Sequence, residues 1–263
     1  MRSNAVFTAG PRTEDLALKS DIYSLEFPFF AICKTPNYST FVWISTCRTK
    51  TIEIQPSSRG RATMDDKRIL VYACSLLMSG HNRGFNTCRS IRIDLRNYLQ
   101  FIGRKTIGGK DISEVELALD RLAGTRIKTN VHDQKSRKTE NFGILERWLL
   151  VERKDMGGIK SVMADVTISQ MTYDTIMSYS VLTLSKNYPG MPPLTRRIYE
   201  IARKHCGRKS MWKISMTCLQ HKSGSESAAK AFARELRKIA ANDKLAEFTI
   251  QIDDKYVIFY RKD

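Results

Sequence analysis

The stretch that decides the fold is WKISMTCLQHKSGSESAAKAFARELRKIAAN, residues 212–242. Ser215 is suited to cap a short helix because its hydroxyl can accept a hydrogen bond from a free backbone N–H, and Gly224 suits the left-handed corner that ends that helix. Ser225 is expected to cap a second, longer helix, with Glu226 near its positive end. The pattern predicts four elements, in this order: a strand at 212–214, a helix at 215–222, a turn at Ser223-Gly224 and a helix at 225–241.

The longer helix is predicted to have two distinct faces. Phe232, Leu236 and Ile239 fall on one side together with small alanines. The opposite side carries four cations with i, i+4, i+7, i+8 spacing, namely Lys230, Arg234, Arg237 and Lys238. A helix that packs on one side and presents cations on the other is what the recognition helix of a helix-turn-helix requires. The alternative is a solvated basic face on an ordinary helix.

The composition favours a partner that is a polyanion. The chain has 263 residues, 42% of them hydrophobic, which is enough for one large or two small domains. Its net charge is +17 with a pI near 9.7, and both halves are basic when the chain is divided after Asp165. Nucleic acid is therefore expected ahead of an anionic membrane. No apolar run approaches the roughly 20 residues of a membrane span, and no secretory h-region is visible, so we expect no membrane association.

The six cysteines are scattered and include no CxxC pair, which favours reduced, mostly buried thiols in a cytoplasm. A zinc site could be imagined from His205, Cys206, Cys218 and His221. Their spacing matches no usual zinc finger, so we expect neither a metal nor another cofactor.

The parts of residues 212–242 recur earlier in the chain in the same order. A leading amphipathic helix with a stripe from Ile69 to Leu77 precedes a strand, a helix capped by Asp94 and a second helix. Strand, helix, turn, helix and hairpin is the order of a winged helix. The sequence thus predicts an α+β fold with two tandem winged-helix domains, each a helix-turn-helix followed by a β-hairpin wing. The expected limits are a flexible leader at 1–24, an N-terminal winged-helix domain at 25–160 and a C-terminal one at 161–263. The strands of the first wing are expected at 125–131 and 143–151, with loop 132–141 between them, and those of the second at 248–252 and 256–260.

The two predicted helix-turn-helix units differ in charge. The second helix of the first unit carries Asp111, Glu114, Glu116 and Asp120, and phosphates would repel it from a deep groove. DNA contacts in the first unit are therefore expected from cations around it, namely Arg104, Lys105, Lys110, Lys135, Arg137 and Lys138. Otherwise that helix faces protein or is plain surface, and we also expect the first unit to switch between self-association and DNA contact.

In the second unit, most cations are expected to contact phosphates, which fix register without reading sequence. These phosphate contacts are Arg196, Arg197, Arg203, Lys204 and Arg208. Base reading is expected from the first turns of the longer helix, through Ser225, Ser227, Lys230 and Arg234.

Five long motifs resemble the plasmid replication initiator protein A family, in the same order over about residues 20–263. They are PFFAICKTP (28–36), DDKRILVYACSLLMSG (65–80), ALDRLAGTRIKTN (118–130), LTRRIYEIARKHCG (194–207) and SGSESAAKAFARELRKIAAND (223–243). The resemblance implies a bacterial, cytoplasmic protein that binds repeated duplex sites at a plasmid origin and opens or remodels the duplex. It also implies recruitment of host replication initiator and helicase-loading proteins, and repression of the protein's own promoter. A homodimer is a further form that the resemblance leaves open.

Two alternatives compete with this interpretation. His205-Cys206-Gly207-Arg208 fits an HxxR pattern with Tyr256 and Tyr260 downstream, as in a tyrosine-type strand-transfer enzyme. Four letters are a weak signal, those tyrosines fall on an alternating strand, and no Walker-type loop is present, so we expect no enzyme. A winged-helix transcriptional regulator without a replication role needs the same site-specific duplex binding and stays open.

Overall fold

The computed structural model describes residues 6–8, 16–33, 35–104, 108–131, 138–155, 158–242, 245–253 and 255–262. Its N-terminal segment contains β1 (Lys19–Asp21) and α1 (Ile22–Glu26). Leu16, Leu18 and Leu25 of this segment are buried. The expectation of a flexible leader to residue 24 therefore does not fit residues 16–24, whose apolar side chains enter the core.

The next part of the chain builds the first unit. It begins with β2 (Phe41–Ile44), β3 (Thr51–Gln55) and the long helix α2 (Lys67–Asn82). Then follow β4 (Ser90–Asp94), α3 (Leu95–Phe101) and α4 (Gly109–Gly124). The unit ends with β5 (Arg126–Thr129), β6 (Glu140–Gly143), β7 (Leu145–Asp155), β8 (Gly158–Ile168) and α5 (Gln170–Met177).

The second unit is shorter. After β9 (Val181–Thr183), which pairs with β1, and a 3₁₀ turn at Tyr188–Gly190 comes α6 (Pro193–His205). The remaining elements are β10 (Met211–Ser215), α7 (Met216–Ser223), α8 (Ala229–Ala241), β11 (Phe248–Asp253) and β12 (Tyr256–Arg261).

The two units share one sheet topology. The strand before the two helices pairs with the last strand of the hairpin, which gives the orders β4-β8-β7 and β10-β12-β11. The registers match as well, because Asp94 lies opposite Met163 in the first sheet and Ser215 lies opposite Tyr256 in the second. Asp94 and Ser215 are also the residues that cap the following helices. The two units thus repeat one pattern of strand pairing.

The hairpin of the first unit differs from the predicted one. The strand after α4, β5, pairs with β3 and β6 in a separate four-stranded sheet, β2-β3-β5-β6. The place that β11–β12 has in the second unit is taken by β7–β8, so loop 132–141 is not the equivalent of the second hairpin's turn. The polar run after Val151 looks like a linker in sequence, but it continues β7 to Asp155 because β7 is an edge strand with one solvated side.

The predicted limit between residues 160 and 161 falls inside β8, which is paired on both sides. In the part of the chain that the structure describes, the buried apolar side chains form two clusters. The larger ends along the chain with Ile176, whereas the smaller takes most of its members from Leu184 onward. The junction of the two units therefore lies after α5. Leu18, Leu25 and Val71 belong to the second cluster, so the N-terminal segment and α2 help to join the units.

Side chains of α2 and α6 meet in a buried group of charges. Lys67 Nζ lies 2.7 Å from Glu200 Oε1, and Arg197 donates to Glu200 Oε2 at 3.2 Å. Burial lowers the pKa of Lys67 and of Arg197, against the opposing effect of Glu200. Tyr188 donates its hydroxyl to the same carboxylate at 2.6 Å. These charges are shielded from water, so removing one of them would leave its partner unpaired in the interior. They therefore stabilise the junction of the two units only when all of them are present.

Candidate nucleic-acid interface

The first helix and the turn of the second unit form as the sequence indicates. Ser215 Oγ accepts a hydrogen bond from the Cys218 N–H at 3.1 Å, which caps α7. Gly224 ends α7 with a φ of 74°, in the left-handed region. A Cβ at this position would lie 2.4 Å from Pro28 Cβ, so both the backbone conformation and the close approach of the first unit's N-terminal segment require glycine.

The second helix begins four residues later than predicted. α8 starts at Ala229, so Ser225 and Ser227 lie in the loop before it, with their hydroxyl oxygens 2.9 Å apart. Gln220 Nε2 donates to the Ser227 carbonyl at 2.7 Å and fixes this loop to α7. Glu226 also lies in this loop rather than at the start of the helix, and its carboxylate pairs with Arg61 of the first unit.

α8 has the two faces that the spacing predicts. Phe232 and Leu236 are 1% and 0% exposed, respectively, and pack into the second core. The four cations predicted on the other face, Lys230, Arg234, Arg237 and Lys238, are all exposed. Glu235 lies 3.4 Å from Arg234 and 2.9 Å from Lys238, and the hydrogen bond from Lys238 lowers the pKa of its carboxyl. The face therefore keeps an excess of positive charge toward solvent.

Two of the predicted phosphate contacts are buried, and their prediction is wrong. Arg196 and Arg197 are 0% and 1% exposed. Arg196 pairs with Asp65 and donates to the Pro189 carbonyl at 3.3 Å. Arg197 donates to backbone carbonyls at the ends of two helices, including Leu25 O at 2.8 Å and Lys222 O at 3.0 Å. Its guanidinium thus links α1 to α7, because its several donors match carbonyls that have no partner within their own helices.

The other predicted phosphate contacts lie together at the end of α6. Arg203, Lys204 and Arg208 line an open cleft of about 350 Å³ beside β9. Arg203 Nε donates to the Thr183 carbonyl at 2.8 Å, and Lys204 lies 3.9 Å from Glu26. Arg208 is exposed. Arg208 is thus the best placed of the three to reach a ligand in solvent.

The cation expected to contact DNA at the first helix-turn-helix, Arg104, is paired with acidic side chains of the same unit. Arg104 lies 3.1 Å from Glu114 and 3.8 Å from Asp111, both on α4. Lys110 is exposed at the start of α4, and Lys138 is exposed shortly before β6. The predicted contacts Lys105, Lys135 and Arg137 lie outside the described residues. α4 therefore keeps the acidic character that its sequence indicates.

The turn of the second unit is docked on the first unit. Trp43 of β2 stacks on His221 with ring centroids 5.2 Å apart, and its Nε1 donates to the His221 carbonyl at 3.0 Å. Glu26 pairs with Lys222 of α7, and Arg61 pairs with Glu226. No sequence pattern singles out Trp43, Glu26 or Arg61, because each acts on a residue more than 150 positions away. These contacts set where α8 lies relative to the first unit.

The residues of the alternative sites have other environments. His205 stacks on Trp212 at 4.9 Å, and its Nε2 lies 3.0 Å from Glu26. Tyr256 and Tyr260 are half-exposed on β12. In the described ranges, no group of three His, Cys, Asp or Glu residues is arranged to hold a metal ion. Within the same part of the chain, no helix combines the length and apolar composition of a membrane span.

Comparison with known proteins adds independent findings. The family model described as Replication initiator protein A matches residues 19–250. A "Putative replication protein" of Wigglesworthia glossinidia brevipalpis is 32% identical over 238 residues, covering 89% of this chain and 85% of that protein. Among solved structures, domains 2 and 3 of RctB superpose with a TM-score of 0.66 at 13% identity over 90% of this chain and 95% of that one. The Pi initiator protein, solved in complex with iteron DNA, superposes with a TM-score of 0.52 at 12% identity over 82% and 98%.

Proposed function

The chain belongs to the replication initiator protein A family, and from that premise we propose that it starts plasmid replication by binding specific duplex sites at the origin. The single observation that carries the DNA-binding part is the α8 surface, where Lys230, Arg234, Arg237 and Lys238 face solvent opposite the buried Phe232 and Leu236. The Pi initiator protein, which has a similar fold, was solved in complex with iteron DNA, and this supports repeated duplex sites as the ligand.

Both units are proposed to be winged helices. The support is the shared order of strand, two helices and hairpin, with the sheet orders β4-β8-β7 and β10-β12-β11. In such a domain the second helix enters the major groove. α8 is suited to that position by its charge, whereas α4 is not, since its acids would face phosphates. We therefore assign sequence reading to the second unit.

Within the second unit, Lys230 and Arg234 lie in the first two turns of α8 and are proposed to reach base edges. Arg237, Lys238 and Arg208 are proposed to contact phosphates, which position the protein without reading sequence. Ser225 and Ser227 are predicted from the sequence to read bases from the helix, but they precede it in the loop that Gln220 holds. We propose instead that they hydrogen-bond to DNA phosphates beside the groove.

The first unit is proposed to serve the other steps that the family implies. Glu116 is exposed on its α4, whereas Asp120 pairs with Arg59 at 3.7 Å. An exposed acid on this helix fits a basic protein better than it fits DNA. Recruitment of host initiator and helicase-loading proteins is accordingly assigned to this unit. Origin remodelling and repression of the protein's own promoter are proposed to follow from binding at adjacent sites. Arg104, Lys110 and Lys138 remain its candidate phosphate contacts.

The test measures binding of the full-length protein to the DNA that flanks its gene, by footprinting and by fluorescence anisotropy. Lys230→Ala and Arg234→Ala should each cost about 1–3 kcal/mol of binding free energy and relax specificity at one base position. Lys128→Ala on β5 and Arg83→Ala after α2 are matched controls, because each removes an exposed cation of the first unit. An unchanged footprint in the Lys230 and Arg234 double variant would contradict the assignment.

A second experiment separates an initiator from a regulator of the same fold. A plasmid that carries the gene and its flanking DNA should be lost from dividing cells when the gene is inactivated, and it should be restored by supplying the protein in trans. If the plasmid is maintained stably without the gene, the protein is a transcriptional regulator and not an initiator.

A further inference from the structure

The sheet of the second unit has a solvent-exposed outer face with aromatic side chains on its central strand. Tyr256 and Tyr260 are 42% and 37% exposed, whereas Val257 and Phe259 between them point inward and are fully buried. Because strand side chains alternate between faces, Tyr256, Ile258 and Tyr260 form one outward row along β12. The ends of this row lie about 13 Å apart, four residues along a strand.

The neighbouring strands add hydrogen-bonding side chains and a cation to this face. Thr249 lies beside Tyr260, and Gln251 lies beside Ile258. Lys213 of β10 lies on the other side of Ile258, with its Nζ 4.2 Å from the centre of the Tyr256 ring. Thr249 and Gln251 can therefore bond to the edges of a flat polar ligand, whereas the Lys213 ammonium lies over the Tyr256 ring itself.

The charge around this face favours an anion. Exposed cations lie on the face and at both ends of the strands, namely Arg208, Lys209, Lys213, Lys255 and Arg261. Arg261 is brought next to the start of β10 by a backbone bond from its N–H to the Ser210 carbonyl at 2.9 Å. On the face itself Asp253 opposes them, beside Tyr256. A chain of phosphates would be drawn to the Tyr260 end, where the arginines lie.

The equivalent face of the first unit shows that the topology does not require aromatic residues there. At the positions of Tyr256, Ile258 and Tyr260, β8 carries Met163, Asp165 and Thr167. These polar groups bond within the sheet: Arg92 pairs with Asp165 through two contacts of 2.7 Å, and the Ser90 and Thr167 hydroxyls lie 2.9 Å apart. The polar side chains of the first face thus pair with one another, whereas the second face presents two tyrosine rings and Lys213 to solvent.

We propose that the outer face of the β10-β12-β11 sheet binds single-stranded DNA. Unpaired bases stack on the Tyr256 and Tyr260 rings, and the Lys213 ammonium moves from the Tyr256 ring to the phosphates that link them. Aromatic platforms bordered by cations bind single strands with little sequence preference, because every base has a π-face. This site goes beyond duplex recognition and does not depend on α8. It gives a protein that opens a duplex a place to hold one of the separated strands.

The experiment measures anisotropy of a labelled oligothymidine of about 16 nucleotides, which has no duplex form, with the full-length protein. Tyr256→Ala and Tyr260→Ala should each weaken its binding by about 5- to 150-fold. Tyr256→Phe and Tyr260→Phe keep the rings and should stay within about two-fold of the wild type. The same alanine variants should bind the cognate duplex as the wild type does, whereas Lys230→Ala should bind the duplex about 5- to 150-fold more weakly and retain the oligothymidine.

Alanine variants that keep oligothymidine binding would overturn the proposal. If such variants also change the sedimenting mass of the protein, the face binds a protein partner instead of single-stranded DNA. Equal losses for duplex and single strand would also overturn it, since they would place the face in the duplex interface. As a measurement that needs no variant, bromouracil-substituted oligothymidine is crosslinked to the wild-type protein. The crosslinked peptide should contain Tyr256 or Tyr260, and a peptide confined to other elements would count against the site.

Discussion

α4 and α8 occupy equivalent places in two units of the same topology, yet their surfaces carry opposite charge. On α4, Asp111 and Glu114 pair with Arg104, so the cation next to the first turn is neutralised. On α8, Arg234 and Lys238 share the single carboxylate of Glu235 and otherwise face solvent. The fold fixes the position of the second helix but not the ligand that it meets. That ligand is decided by a few surface side chains that packing leaves free to vary.

The leading helices show a second contrast, in where charges are buried. α6 places Arg196, Arg197 and Glu200 inside the protein, and α2 contributes Lys67. A buried charge that loses its partner costs far more than an exposed one, because the remaining ion stays out of water. The same substitution should therefore have different effects on α6 and on α4.

The largest effect is expected from Glu200→Gln. The change leaves Lys67 and Arg197 without their carboxylate, and we expect the free energy of unfolding to fall by about 3–5 kcal/mol. Glu114→Gln, on the exposed side of α4, should change it by less than about 0.5 kcal/mol. Urea denaturation of both variants measures the difference, and equal losses would show that the α6 charges do not hold the units together.

Charge reversal on the two equivalent helices sharpens the comparison. Arg234→Glu should weaken cognate duplex binding about 100-fold and reduce the salt slope by about 1 or more, because a cation in the groove is replaced by an anion that the phosphates on both sides repel. Glu116→Lys on α4 should leave the affinity within about three-fold at physiological salt, where charges more than about 8 Å from the phosphates are screened. Anisotropy titrations at several salt concentrations measure both. A strong gain from Glu116→Lys would place α4 at the duplex and break the distinction between the units.

Much of the second unit could be predicted because its signals are local. The Ser215 cap, the Gly224 corner and the period of Phe232 and Leu236 each depend on residues within a few positions. The start of α8 could not, because Glu226 is held by Arg61, which lies 165 positions earlier. A helix boundary decided by a distant ion pair leaves no trace in a window of neighbouring residues.

The remaining errors have the same physical origin. Arg196 and Arg197 read as surface cations, since nothing near them in sequence shows that Asp65 and Glu200 accompany them into the interior. The predicted hairpin of the first unit has the wrong strands because β5 finds its partner in β3, more than 70 residues earlier. Long-range pairing, rather than local propensity, decided both cases.

The smallest of the predicted effects concerns Glu26, which ties the turn of the second unit to the N-terminal segment. Glu26 accepts from Lys222 and lies 3.0 Å from His205 Nε2, with Lys204 nearby. Burial raises the pKa of its carboxyl, but the contacts with His205 and Lys222 outweigh burial and hold that pKa well below its usual range. Its folded pKa is therefore lower than its unfolded value of about 4.3, so the stabilisation is present above that pH and is lost as the pH falls below it. Glu26→Gln should cost about 1–2 kcal/mol at pH 7.

The gap in unfolding free energy between Glu26→Gln and the wild type should narrow as the pH falls below about 4.3, because the wild-type carboxyl then takes up a proton on unfolding while it stays ionised in the folded protein. Urea denaturation between pH about 7 and 3 measures the gap, with Glu116→Gln on α4 as the control for losing an exposed carboxylate. A gap that stays constant with pH would mean that Glu26 acts through packing rather than charge. The docking of the turn would then depend on the Trp43–His221 stack and on the Arg61–Glu226 pair rather than on the charge of Glu26.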